Sequence, residues 1–118
     1  YHNTLNVEQM NAACAILFEY TDFECFSKTN TDVNTFLCTI TKAHWKVNNK
    51  QLKFTITANR FLRNMVRAIV GTLINVGIGK ITLEEFRGII ESKNRQKAGF
   101  SVPAHALYLV EVKYLYID

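Results

Sequence analysis

From Val33 to Leu83 the sequence contains no aspartate or glutamate. A solvated surface ordinarily mixes the two signs of charge, so this gap excludes an evenly balanced stretch of exterior. Eight cations fill the same window: Lys42, Lys46, Lys50, Lys53, Arg60, Arg63, Arg67 and Lys80. The rest of the chain holds six basic residues against ten acids, so a net charge of +4 divides into a window of +8 and a remainder of −4. A one-signed segment points to an anionic partner, with nucleic acid the leading candidate. On charge alone the competing expectation, that balancing acids fold in from other segments, carries equal weight.

Long apolar runs are missing too. Arg63, Arg67 and Asn75 interrupt the longest one, well short of the roughly 20 residues a membrane span needs. No C-x-x-C pair occurs; Cys14, Cys25 and Cys38 are an odd set, and free thiols in a reducing compartment are the simplest reading. There is no H-x-x-x-H, no G-x-S-x-G and no phosphate-binding glycine loop, so no metal centre or self-sufficient catalytic set is written as a motif. His2, His44 and His105 are scattered. Disorder is excluded by 48% hydrophobic residues with only 20% charged, and 118 residues suit one domain with a real core. No secretory leader is visible. The chain opens Tyr1-His2-Asn3 without Met, so the expectation is a start in mid-protein.

What is present reads as α-β-β-α-α-β. Met10, Ala13, Cys14, Leu17 and Phe18 recur at helical spacing within 6–19, with Asn6 and Gln9 as a capping-box pair. Asp22 to Phe26 is a short irregular or extended piece, with Asp22 a turn carboxylate, and Ser27 to Asn34 a polar loop. Thr35 to Val47 is a strand whose alternation slips, which a bulge near Thr41 or Lys42 explains. Asn48-Asn49 turns into a second strand, where Leu52, Phe54, Ile56 and Ala58 alternate with Lys53, Thr55 and Thr57 to give one apolar and one polar face. Phe61 to Val76 reads as a central helix, and Thr82 with Glu85 as a capping box opening a shorter one with Leu83, Phe86, Ile89 and Ile90 inward. After a loop over 93–106, Leu107 to Tyr116 is a last strand. The expected class is α+β, a mainly antiparallel sheet with helices packed on one face. Trp45, Tyr108, Tyr114 and Tyr116 could stack on bases, but core packing is their default.

The most informative segment is Ala58-Asn59-Arg60-Phe61-Leu62-Arg63-Asn64-Met65-Val66-Arg67-Ala68-Ile69-Val70-Gly71. On a continuous helix Arg60, Arg63, Asn64 and Arg67 would share an arc of roughly 100°. Gly71 lies one turn beyond Arg67, and a glycine in mid-helix costs about 1 kcal/mol against alanine. Close approach of another chain is one reason to keep it. Planar guanidinium forks so placed suit phosphates. From the residues alone the reading is a basic α+β domain that binds RNA or DNA.

This same run, followed by Val76-Gly77-Ile78-Gly79, resembles the signature of the tRNA pseudouridine synthase A family. Asp22-Phe23-Glu24-Cys25-Phe26, Gly99-Phe100-Ser101-Val102-Pro103-Ala104 and Ala106-Leu107-Tyr108-Leu109-Val110-Glu111-Val112 resemble further family segments in the right order. Ala106 departs from the glycine usual there. The resemblance implies a two-domain, cofactor-free and metal-free isomerase that converts uridine to pseudouridine in the tRNA anticodon stem-loop, cytoplasmic, not membrane-bound, and usually a homodimer. Its essential aspartate sits in a G-R-T-D motif that this sequence lacks. Residues 1–118 are therefore expected to be one domain, the C-terminal half, inactive alone. By position Arg67 matches the basic residue facing the catalytic aspartate, and Leu107 an apolar wall of the uracil pocket. Arg60, Arg63 and Lys28 are assigned to RNA backbone contacts by charge. The alternative is a stand-alone, non-catalytic RNA-binding module.

Overall fold

Asn6 closes the first turn of helix α1, Val7–Leu17, by accepting a hydrogen bond from the Gln9 amide at 3.0 Å. Only half of the expected capping box forms, because the Asn6 amide donates instead to the Gly77 carbonyl at 2.9 Å. The computed structural model describes residues 5–28, 35–49, 51–103 and 110–114. Met10, Ala13, Cys14 and Leu17 are buried as their spacing requires, whereas Phe18 is 48% exposed just past the helix end. A single 3-10 turn, Glu24–Phe26, follows, and Asp22 accepts from the Glu24 amide while pairing with Lys93 at 3.5 Å. Asp22 is thus a turn carboxylate.

Strands β1, Ile40–Asn48, and β2, Gln51–Ala58, form an antiparallel hairpin. The register shifts between Ile40 and Lys42, which puts a bulge at Thr41 and accounts for the slip in alternation. Beyond it Ala43, Trp45, Phe54 and Ile56 turn inward, and the Trp45 and Phe54 rings stack with centroids 4.6 Å apart. Residues 35–39 are not part of the strand; only Leu37 makes an isolated bridge, to Asp22. Strand β3, Val110–Tyr114, joins β2 in parallel, giving the order β1-β2-β3. The class and element order are those expected, with the longer ladder antiparallel. The polar face of β2 departs from a simple solvated one, since Thr55 and Thr57 are buried at 7% and 8% exposure.

Helix α2, Met65–Gly77, runs through the core, and helix α3, Leu83–Ser92, closes it. Thr82 and Glu85 make the reciprocal capping box of α3, at 3.1 and 2.8 Å. Phe86 and Ile90 are buried with Phe23, Phe26, Ile69 and Leu73 in one cluster that also takes the inner face of the hairpin. All three cysteines are free and buried, and burial pushes the Cys14 and Cys25 thiols up to about 12. The Cys38 thiol is raised by the same cause. Among the described residues no helix is long and apolar enough to cross a membrane, and no cluster of His, Cys, Asp and Glu could hold a metal.

Candidate nucleic-acid interface

The central helix begins later than its apolar periodicity predicts. Asn64 takes the left-handed conformation, φ 69° and ψ 5°, so Arg63 and Asn64 form a turn closed by the Met65 amide on the Leu62 carbonyl, and the helix starts at Met65. Asparagine tolerates that region better than most residues, because its short polar side chain can bond locally or across the chain. Here Asn64 Nδ2 donates to Ser101 Oγ at 2.6 Å. Arg60, Arg63 and Asn64 therefore do not lie on the helix. The expected four-residue helical arc is corrected to Arg67 and Gly71 alone.

The turn nevertheless gathers charge. The Lys28 amide donates to the Arg63 carbonyl at 2.9 Å, which ties the segment after the 3-10 turn to the start of α2. Lys28, Arg63, Asn64, Arg67 and Ser101 line an open cleft of about 450 Å³. Among the described lining residues three of five are cationic and none is acidic. The first turn of α2 carries no acid either, so the positive end of the helix dipole adds to the field. The ion pairs Arg87–Glu19 and Lys93–Asp22 both use cations from outside the acid-free window. Arg63 and Arg67 have no acidic partner among the described residues.

Arg67 is positioned from three directions. Its Nε donates to the Val102 carbonyl at 2.7 Å, and the Val102 amide donates back to the Arg67 carbonyl at 3.1 Å. The loop carrying Val102 is itself pinned. The Gly99 amide donates to Thr72 Oγ1 at 2.8 Å, and Arg95 donates to the Gly99 carbonyl at 3.2 Å and to Ser101 Oγ at 2.6 Å. Gly71 permits this arrangement, because a Cβ there would overlap the Phe100 carbonyl oxygen. The close approach expected at Gly71 is made by this chain's own backbone. With Nε engaged, the two terminal nitrogens of Arg67 have no acceptor among the described residues, leaving a two-pronged donor at the cleft.

Arg60 lies outside the cleft. Its Nη1 donates to the Thr35 and Leu37 carbonyls at 3.1 and 3.4 Å, so part of its fork holds the segment before β1. Leu107, like Ala106, lies outside the described residues. Reasoning from charge missed Ser101 and Arg95, which carry no net signal in a loop. The only trace was the motif-like run Gly99-Phe100-Ser101-Val102-Pro103. Trp45 is core, not a stacking platform, at 7% exposure.

A family model described as tRNA pseudouridine synthase matches residues 13–115. A protein of Parabacteroides distasonis named tRNA pseudouridine synthase A is 57% identical over 93% of this chain and 44% of its own length. Its namesake in Porphyromonas gingivalis is 56% identical over 96% of the chain and 46% of its own length. The one in Bacillus subtilis is 41% identical over 93% and 44%. The chain thus spans about half the length of the curated relatives it matches.

Proposed function

The chain belongs to the tRNA pseudouridine synthase family, and from that membership we propose that it is the C-terminal half of a cofactor-free isomerase acting on uridine in the tRNA anticodon stem-loop. The observation that carries this reading is the cleft whose described lining holds no acid and in which Arg67 offers two guanidinium nitrogens without an acceptor among the described residues. In the reaction the bond from ribose to N1 breaks, the base turns, C5 rejoins the ribose and gives up its proton, and N1 takes one up. Nothing is gained or lost overall, so no redox partner or co-substrate is required. The essential aspartate belongs to the other half of the protein. A carboxylate brought to this cleft would be held ionised by Arg67, whose fork matches its two oxygens. Lys28 and Arg63 would bind flanking phosphates, and Arg60 would add a peripheral contact through its remaining Nε and Nη2 donors. Leu107 is proposed as a wall for the flipped uracil, which must leave its stack to react. A homodimer in the cytoplasm completes the proposal.

The test separates chemistry from binding in the full-length protein. Arg67→Ala is expected to lower the single-turnover rate far more than tRNA affinity, since other cations still hold the substrate. Arg67→Lys restores part of the rate, keeping the charge and losing the fork. Loss of affinity with an intact single-turnover rate would make Arg67 a phosphate anchor and favour an RNA-binding role for this half.

A further inference from the structure

Among the described residues the β1–β2 hairpin contributes nothing to the cleft, yet its strands carry three of the eight cations of the acid-free window, Lys42, Lys46 and Lys53. Register sorts its side chains. Ala43, Trp45, Phe54 and Ile56 face the helices, while Lys42, His44 and Lys46 fall on the opposite face, across from Thr57, Thr55 and Lys53. Lys42, Lys46 and Lys53 are exposed. Neither Lys42 nor Lys46 has an acidic partner among the described residues. The end of the hairpin also projects beyond the helix layer. Trp45 is held where Asn11 bonds its amide and its carbonyl at 2.6 and 3.0 Å, and Val47, the next residue on that face, is 59% exposed.

We propose that the outer face and projecting end of this hairpin, with Lys42 and Lys46 at its centre, form a second phosphate-binding surface that grips the ribose-phosphate backbone of the RNA substrate. Three strand residues lie between these two lysines, so four steps of about 3.3 Å give a span of about 13 Å along β1. A rigid strand thus presents two ammonium groups in line; the acid that the register places on this face, Glu111, lies on β3 across from Thr55, two strands away from β1. The surface rests on the proposal that the protein acts on tRNA. A lipid surface is the wrong occupant, since it calls for apolar side chains beside the cations, and the outer face carries only Lys, His and Thr at the paired positions from Lys42 to Lys46.

The experiment is tRNA binding by the full-length protein as a function of salt, for wild type, Lys42→Gln/Lys46→Gln and Lys80→Gln. Lys80 is exposed in the same acid-free window but lies beyond α2, away from the hairpin. The double variant is expected to lower the slope of log K against log salt by about 1.5, from about 0.7 to 0.9 per phosphate contact. It should keep the wild-type single-turnover rate at saturating tRNA and the wild-type melting temperature. Lys80→Gln should leave the slope unchanged. Wild-type slope and affinity in the double variant would overturn the hairpin surface while leaving the tRNA reading intact. A change in sedimentation without a change in slope would assign the face to subunit contact and also overturn it. Failure of the wild type to bind tRNA would remove the functional reading, and the hairpin surface with it.

Discussion

Replacing Gly71 with alanine opposes two effects of known sign. In an ordinary helix interior the change is favourable by about 1 kcal/mol, through backbone entropy. At Gly71 the new methyl would overlap the Phe100 carbonyl oxygen and come within 2.8 Å of its carbon. Both are backbone atoms, so no side-chain rotation relieves the contact and the 99–102 loop must lift. Three hydrogen bonds hold that loop to α2: Gly99 to Thr72, Val102 to the Arg67 carbonyl, and Arg67 Nε to the Val102 carbonyl. At about 0.5 to 1.5 kcal/mol each, their loss outweighs the helix gain and leaves a net cost of about 1 to 3 kcal/mol. Gly88 provides the internal control. It sits in α3 with nothing within 4 Å of a built Cβ, so Gly88→Ala should stabilise by up to about 1 kcal/mol. Thermal and urea unfolding of both variants measures the contrast, with each kcal/mol worth about 4 °C at this chain length. In the full-length protein Gly71→Ala should also depress turnover, because it displaces Ser101 and the acceptor that fixes Arg67. A Gly71→Ala protein as stable as Gly88→Ala would refute the reasoning.

Thr82→Ala removes the hydroxyl that accepts from the Glu85 amide in the α3 capping box, leaving the backbone half of the box in place, and should cost about 1 kcal/mol by urea unfolding. Phe86→Ala empties a fully buried site against Phe26 and should cost about 3 to 5 kcal/mol, with the denaturant slope retained if the fold survives. Cys14 and Cys25, with thiols raised to about 12 by burial, should resist iodoacetamide at pH 8 in the folded chain and react once it is unfolded in urea, as mass spectrometry would show. The isolated chain should release no tritium from tRNA labelled at uridine C5; release would place the catalytic carboxylate within these 118 residues.

Local chemistry determined much of this protein. The alternation slip in 35–47 located the Thr41 bulge, the parity of 52–58 gave the inner face of β2, and Thr82 with Glu85 marked the start of α3. These features depend on neighbours a few residues apart, so sequence order carries them. The acid-free window pointed to a cationic surface but left open whether acids from other segments would fold against it. Only the tertiary structure decided which cations meet. Apolar periodicity continues through Phe61 and Leu62, yet the helix waits for Met65 because Asn64 turns left-handed and bonds Ser101, 37 residues away. That turn takes Arg63 off the helix, and the Lys28 amide bonded to the Arg63 carbonyl brings a third segment to the cleft. Pairing of β3 parallel to β2 was equally beyond local reading, since strand direction depends on where the chain re-enters the sheet. Spacing along the chain encodes faces and caps; convergence of residues 28, 63, 67 and 101 is set by hydrogen bonds between segments far apart in the chain, the Lys28 amide to the Arg63 carbonyl, Asn64 to Ser101 and Arg67 to Val102, and spacing carries no record of which distant residues meet.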